Sequence, residues 1–175
     1  VKEELEYPLI NLGYSERKRT ILINQIIKEF SLEKRINTKI TNLSFDEQKK
    51  LQFAISLVHN PKVLLIDNMF NLLNKENKKN IWEILSKRVR DKNLTIVNFT
   101  LCLEEVLESD YLILLEEGKI IKEGSPLTLL EDDELFYRAG LEVPFMIDLS
   151  IKLKFYGLID HLYLNMEELV DDIWK

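Results

Sequence analysis

Two short, almost uninterrupted apolar runs, KVLLID at 62–67 and LTIVNF at 94–99, are separated by one polar, helix-like stretch. Runs of this length, rich in Val, Ile and Leu, read as strands buried on both faces of a sheet. The stretch between them, 75–91, carries Ile81, Trp82, Ile84, Leu85 and Val89 on one side at helical spacing. A strand, helix, strand order of this kind is the pattern of a right-handed crossover between parallel strands. The expected fold class is therefore α/β, with a mostly parallel core sheet.

The flanking segments are helical. Residues 16–30 place Ile21, Ile23, Ile26, Ile27 and Phe30 at helical spacing, and 46–59 carry Leu51, Ala54, Ile55 and Val58 as a stripe that Pro61 brings to a stop. A third apolar run, YLILL at 111–115, is joined through Glu116-Glu117-Gly118-Lys119 to KIIKEG at 119–124, a hairpin expected at the sheet edge. Helices are predicted over 126–139, 144–156 and 166–174, with Gly140 and Gly157 as helix-ending residues. This divides the chain into a helical part at 1–60, an α/β core at 61–139 and a C-terminal helical extension at 140–175.

Composition narrows the function. With 175 residues and 46% hydrophobic content the chain can bury a core. Its net charge of −6, with Lys and Arg interspersed among acids, argues against nucleic-acid binding, which needs a basic stripe. Cys102 is the single cysteine, so no internal disulfide forms and a buried, inert thiol is expected. No apolar run reaches the roughly 20 residues that span a bilayer. The chain opens on Val1 rather than Met, from which upstream residues are expected.

The chemistry-bearing candidate is Asp67, at the C-terminal end of the first apolar run. Open α/β sheets bind ligands at that edge, and in phosphoryl-transfer domains an Asp there holds Mg²⁺. Other candidates have plainer readings. His59 and His161 lack companions at metal-ligand spacing, and Glu131-Asp132-Asp133-Glu134 lacks the central Gly of a calcium loop. Trp82 and Trp174 lie on apolar helical faces and read as packing residues.

Upstream of Asp67, Leu43-Ser44-Phe45-Asp46-Glu47-Gln48 opens a helix, and Asn60-Pro61-Lys62 leads into the strand. This arrangement resembles the signature helix and Walker B strand of ATP-binding cassette (ABC) proteins, whose Leu-Ser-Gly-Gly-Gln motif precedes a Pro-Lys pair and a strand ending Asp-Glu. The spacing from Leu43 to Asp67 matches without a gap. Val1-Lys2-Glu3-Glu4-Leu5, Asn11-Leu12-Gly13 and the ending Gly140-Leu141-Glu142-Val143-Pro144-Phe145, with Leu149 and Leu153, resemble the energy-coupling factor (ECF) and cobalt-type importer ATPases in particular. The resemblance covers essentially the whole chain and implies a partial ABC ATPase domain. None of the five glycines has the context of a phosphate-cradling Walker A loop.

Carried over by this resemblance, the functional positions are mostly altered. Asp67 matches the magnesium-binding Asp, but the Glu that polarises the attacking water is Asn68, which cannot accept a proton. Loss of a general base costs about 10²–10⁴ in rate. The D-loop Asp is matched by Asn74, and the switch His by Leu101. The signature glycines are Phe45 and Asp46, and its Gln is Glu47, which places two carboxylates where a triphosphate would dock. Ser44 to Glu47 is also an S-x-x-E capping box, able to satisfy the helix's own N–H groups.

The resemblance implies ATP and Mg as cofactors, and as partners a second ABC ATPase subunit, a transmembrane coupling protein and a substrate-binding membrane subunit. It also implies a cytoplasmic place on the inner face of the membrane, in uptake of a vitamin or metal ion. By itself the chain is expected to be inactive as an ATPase. An alternative of a different class is a non-catalytic ABC-fold module that acts only in assembly. A DNA-repair or chromosome-maintenance cassette fits less well with the acidic charge, the lack of heptads and the importer-like ending.

Overall fold

A computed structural model describes residues 1–70, 73–92 and 94–174. The chain divides into two compact units, Val1–Phe99 and Thr100–Lys175.

The first unit begins with helix α1 (Lys2–Asn11), within the part expected to be helical but not itself predicted as an element, with Pro8 inside it. Leu5 and Leu9, one turn apart, are both fully buried, and that packing outweighs the hydrogen bond that Pro8 cannot donate. The helix closes on Gly13 at φ +74, whose N–H donates to Ile10 O while that of Tyr14 donates to Leu9 O, a paired C-terminal cap. Helix α2 (Glu16–Glu29) buries Leu22, Ile23, Ile26 and Ile27. Ile21, expected on that stripe, is instead exposed, one step round the helix from Leu22. Helix α3 (Phe45–Leu57) buries Leu51, Phe53, Ala54 and Leu57.

Strand β1 (Val63–Asp67), helix α4 (Lys75–Lys92) and strand β2 (Thr95–Phe99) form the expected crossover, with β1 and β2 parallel and Asp67 paired with Phe99 in register. Ile81 and Leu85 of α4 are fully buried and share one core with Leu64, Ile66 and the apolar faces of α1 to α3. Arg88 fixes this core. Its guanidinium pairs with both carboxylate oxygens of Glu29 on α2 and also donates to Leu57 O at the end of α3 and to Asn60 Oδ1.

The expectation that β1 is buried on both faces is corrected. Leu64 and Ile66 are buried, whereas Val63, Leu65, Val97 and Phe99, on the opposite face of the pair, are exposed. Parallel strands are covered by the helices of their crossovers, and this single crossover supplies cover on one side only.

The second unit starts with the short helix α5 (Leu103–Val106), followed by strands β3 (Leu112–Glu116) and β4 (Lys119–Gly124). These pair antiparallel as a two-stranded sheet of their own. Glu117 and Gly118 make the two-residue turn, both at positive φ, as the hairpin turn matching strand twist requires. The helical pattern over 126–139 proves to be two helices, α6 (Pro126–Leu130) and α7 (Asp133–Arg138), divided at Glu131-Asp132, with Asp132 outside helical geometry. Helices α8 (Phe145–Phe155) and α9 (Met166–Ile173) follow. As expected, Gly140 and Gly157 sit at the ends of α7 and α8. Leu114, Leu130, Phe136, Val143 and Ile147 share one core, and a smaller one gathers Ile159, Tyr163 and Leu169. Ser150, fully buried, ties that smaller core to α8 by exchanging hydrogen bonds with the backbone of Tyr163 at 3.0 and 3.3 Å.

Candidate functional site

The candidate site lies at the ends of two elements of the first unit, the N-terminus of α3 and the C-terminus of β1. At the first, the capping box forms. Ser44 Oγ accepts from Glu47 N at 3.3 Å and Glu47 Oε2 accepts from Ser44 N at 2.8 Å. Arg35 donates to the other Glu47 oxygen at 2.6 Å. The Ser44 backbone N–H, and after it the Arg35 guanidinium, hold the Glu47 carboxyl below its usual range.

Asp46 is equally engaged. Its Oδ2 accepts from Asn74 Nδ2 at 2.8 Å and from Asn77 Nδ2 at 2.7 Å. Asn74 also caps α4, its Oδ1 accepting from Asn77 N at 2.8 Å. One carboxylate thus clasps the start of α3 to the start of α4. Phe45 remains exposed beside them, with Lys49 Nζ 5.5 Å from its ring centre.

At the second end, Asp67 and Asn68 are exposed. Asn68 lies at φ 49, a left-handed conformation that Asn tolerates better than most residues. Its backbone N–H donates to Phe99 O at 3.0 Å, extending the parallel ladder, and its Nδ2 donates to Asp67 Oδ1 at 3.2 Å. Beyond it, Phe70 is buried between Phe53 and Trp82, stacked on the latter at 4.5 Å, which anchors the turn leaving the strand. The two ends are linked through Met69, whose Sδ lies 3.9 Å from Lys49 Nζ on α3.

Ser44, Phe45, Asp46, Glu47 and Asn74 are therefore brought together, and Asp67 and Asn68 adjoin each other. Leu101 belongs to the second unit, in an exposed bend before α5. Two participants were missed. Asn77, the third residue of α4, could have been found from the Asn-x-x-Asn spacing at the helix start, while Arg35 carries no local signal. Among the described residues no group of three or more His, Cys, Asp and Glu is arranged to hold a metal. Asp67 fits Mg²⁺ only in the way such ions are bound beside phosphates, by one or two carboxylates with water and the nucleotide supplying the rest.

No family profile matches the chain. Pairwise similarity is extensive. The chain is 27% identical over 158 residues to the energy-coupling factor transporter ATP-binding protein EcfA1 of Lactobacillus acidophilus, covering 90% of this chain and 56% of that protein. It is 26% identical to EcfA of Pediococcus pentosaceus (96% and 60%), and 31% identical to a putative ABC transporter ATP-binding protein of Pyrococcus furiosus (87% and 56%). Among solved structures, cbiO1 of Clostridium perfringens, part of the ABC transporter complex cbiONQ, superposes with a TM-score of 0.66 at 23% identity, over 83% of this chain and 58% of that one. A dimeric bacterial ABC transporter cassette gives 0.62 at 26% identity, over 70% and 54%. The class defined by fold and similarity is the ATP-binding cassette, of which the chain carries part. Within that class, its homologues over most of its length are the energy-coupling factor transporter ATP-binding proteins. The chain spans 56–60% of the length of the curated relatives named above.

Proposed function

We propose that the chain serves in the ATP-binding subunit of an ECF-type ABC importer, with a composite site degenerate on this chain's side. The carrying observation is the N-terminus of α3. Asp46 and Glu47 stand where the resemblance places a glycine and the Gln, and each is held by partners within the chain. A triphosphate arriving there would meet two carboxylates, and the N–H of Glu47 already donates to Ser44.

At the other end, Asp67 is the residue that would hold Mg²⁺, whose charge would offset that of the nucleotide phosphates. Asn68 can orient a water through its amide but accepts no proton from it, and in the second unit the Leu101 side chain has no hydrogen bond to offer where the resemblance expects a His. In this reading a partner ATPase subunit supplies the active catalytic groups, and further cassette segments cover the bare face of β1 and β2. No helix of the described residues is long and apolar enough to cross a membrane. Attachment to the inner face then runs through a transmembrane coupling protein, which serves a membrane subunit binding a vitamin or metal ion.

The test is Mg-ATP binding and hydrolysis by the chain, alone and with an intact partner cassette. The expected result is no turnover alone and turnover in the complex. Hydrolysis by the isolated chain at the rate of an intact subunit would falsify the degenerate-site reading. The Asp46 clasp also suits a second reading, a module kept for assembly only. Absence of Mg-ATP binding even in the complex selects it.

A further inference from the structure

Helix α9 uses one edge of its apolar face and leaves the rest bare. Leu169 is buried in the small core with Ile159 and Tyr163. Ile173, Met166, Val170 and Trp174 continue the same face round the helix, at three- and four-residue steps, and all are exposed, Trp174 to 83%. Amphipathic helices of soluble proteins normally bury the whole of such a stripe. The opposite side is acidic. Glu167 and Asp171, one turn apart, border the Val170 and Trp174 edge, and both are exposed, with no salt bridge to either among the described residues. Of the other two acids on the helix, Asp172 is engaged by the Tyr163 hydroxyl.

We infer that this stripe is a docking surface for a basic, apolar helical segment of a partner protein. Residues 166, 170 and 174 form an i, i+4, i+8 ridge, the shape that packs against the groove of a second helix. Charge selects the occupant. In a second copy, Glu167 and Asp171 would face their own counterparts, and an anionic lipid surface would repel them as well. A partner helix with Lys or Arg beside its apolar ridge instead pairs with both carboxylates while covering Trp174.

The test uses the full chain and two synthetic amphipathic helical peptides of matched pattern, one Leu/Lys and one Leu/Glu, followed by calorimetry and Trp emission. The expected result is binding of the Leu/Lys peptide alone, weakened by salt, with a blue shift that the Trp174→Phe variant reduces. The double variant Glu167→Lys/Asp171→Lys should lose at least about tenfold in affinity. Glu3→Lys/Glu4→Lys, an equal charge change on α1, leaves both α9 carboxylates in place and should alter it less than about twofold. The inference is overturned if the α1 variant weakens binding as much, if Trp174→Ala leaves affinity unchanged, or if the free chain self-associates in a Trp174-dependent manner.

Discussion

Leu64 and Leu65 are adjacent and chemically identical, yet one is 7% exposed and the other 67%. They point to opposite faces of the same strand, so the difference lies in what covers each face. On the Leu64 side, α3 and α4 close a continuous core with Ile66 and Ile81. On the Leu65 side, Val63, Val97 and Phe99 stand exposed, and Asp67 shares that side through the strand's alternation. The contrast teaches that the packed face carries the stability of this unit, whereas the face bearing Asp67 is left open.

The largest effect that tests this contrast is Ile66→Ala, which should cost about 2–5 kcal/mol in chemical denaturation, the range for emptying a well-packed core site. Arg88→Met should follow at about 2–3 kcal/mol, below the usual cost of breaking a buried pair because Glu29 is partly exposed. Ser44→Ala removes the α3 cap and should cost about 1 kcal/mol. A smaller effect appears only in acid. The Glu47 carboxyl is held below 4.5, so its contribution is present above that pH and is lost as pH falls through the lowered value. Glu47→Gln should therefore flatten this part of the acid limb of a stability–pH curve. Least of all, Leu65→Ala should stay within about 0.5 kcal/mol. A Leu65→Ala cost matching that of Ile66→Ala would show that the two faces are equally buried in solution, and the contrast would fail.

Much of this was legible in the sequence, for identifiable reasons. The crossover followed from two apolar runs around an amphipathic helix, the capping box from Ser44 and Glu47, and the helix ends from Gly140 and Gly157, all local patterns. Helix α1 was hidden because Pro8 argues against a helix, and only tertiary burial of Leu5 and Leu9 overrides it. The break between α6 and α7 was hidden because the apolar spacing runs through it. Burial of β1 on both faces was misread because an apolar run reports what a strand tolerates, not what covers it. At the site, the cap of α3 by Ser44 and Glu47 is local and could be read directly. The Asp46 clasp could not, since Asn74 and Asn77 lie 28 and 31 residues away and meet Asp46 only once α3 and α4 are docked.

The Arg88 junction bears on how the chain emerges during synthesis. Glu29 meets its guanidinium only after a further 59 residues, and the carbonyl of Leu57 after 31. At ribosomal rates of about 5–20 residues per second, α2 waits roughly 3–12 s for that partner. Over this interval the apolar faces of α1 to α3, as they emerge, lack the part of their shared core that α4 supplies through Ile81 and Leu85. Slowed translation between residues 57 and 88 would therefore lengthen the time in which the nascent chain is open to aggregation or chaperone capture, whereas a pause after Arg88 has emerged would not extend the wait for this junction.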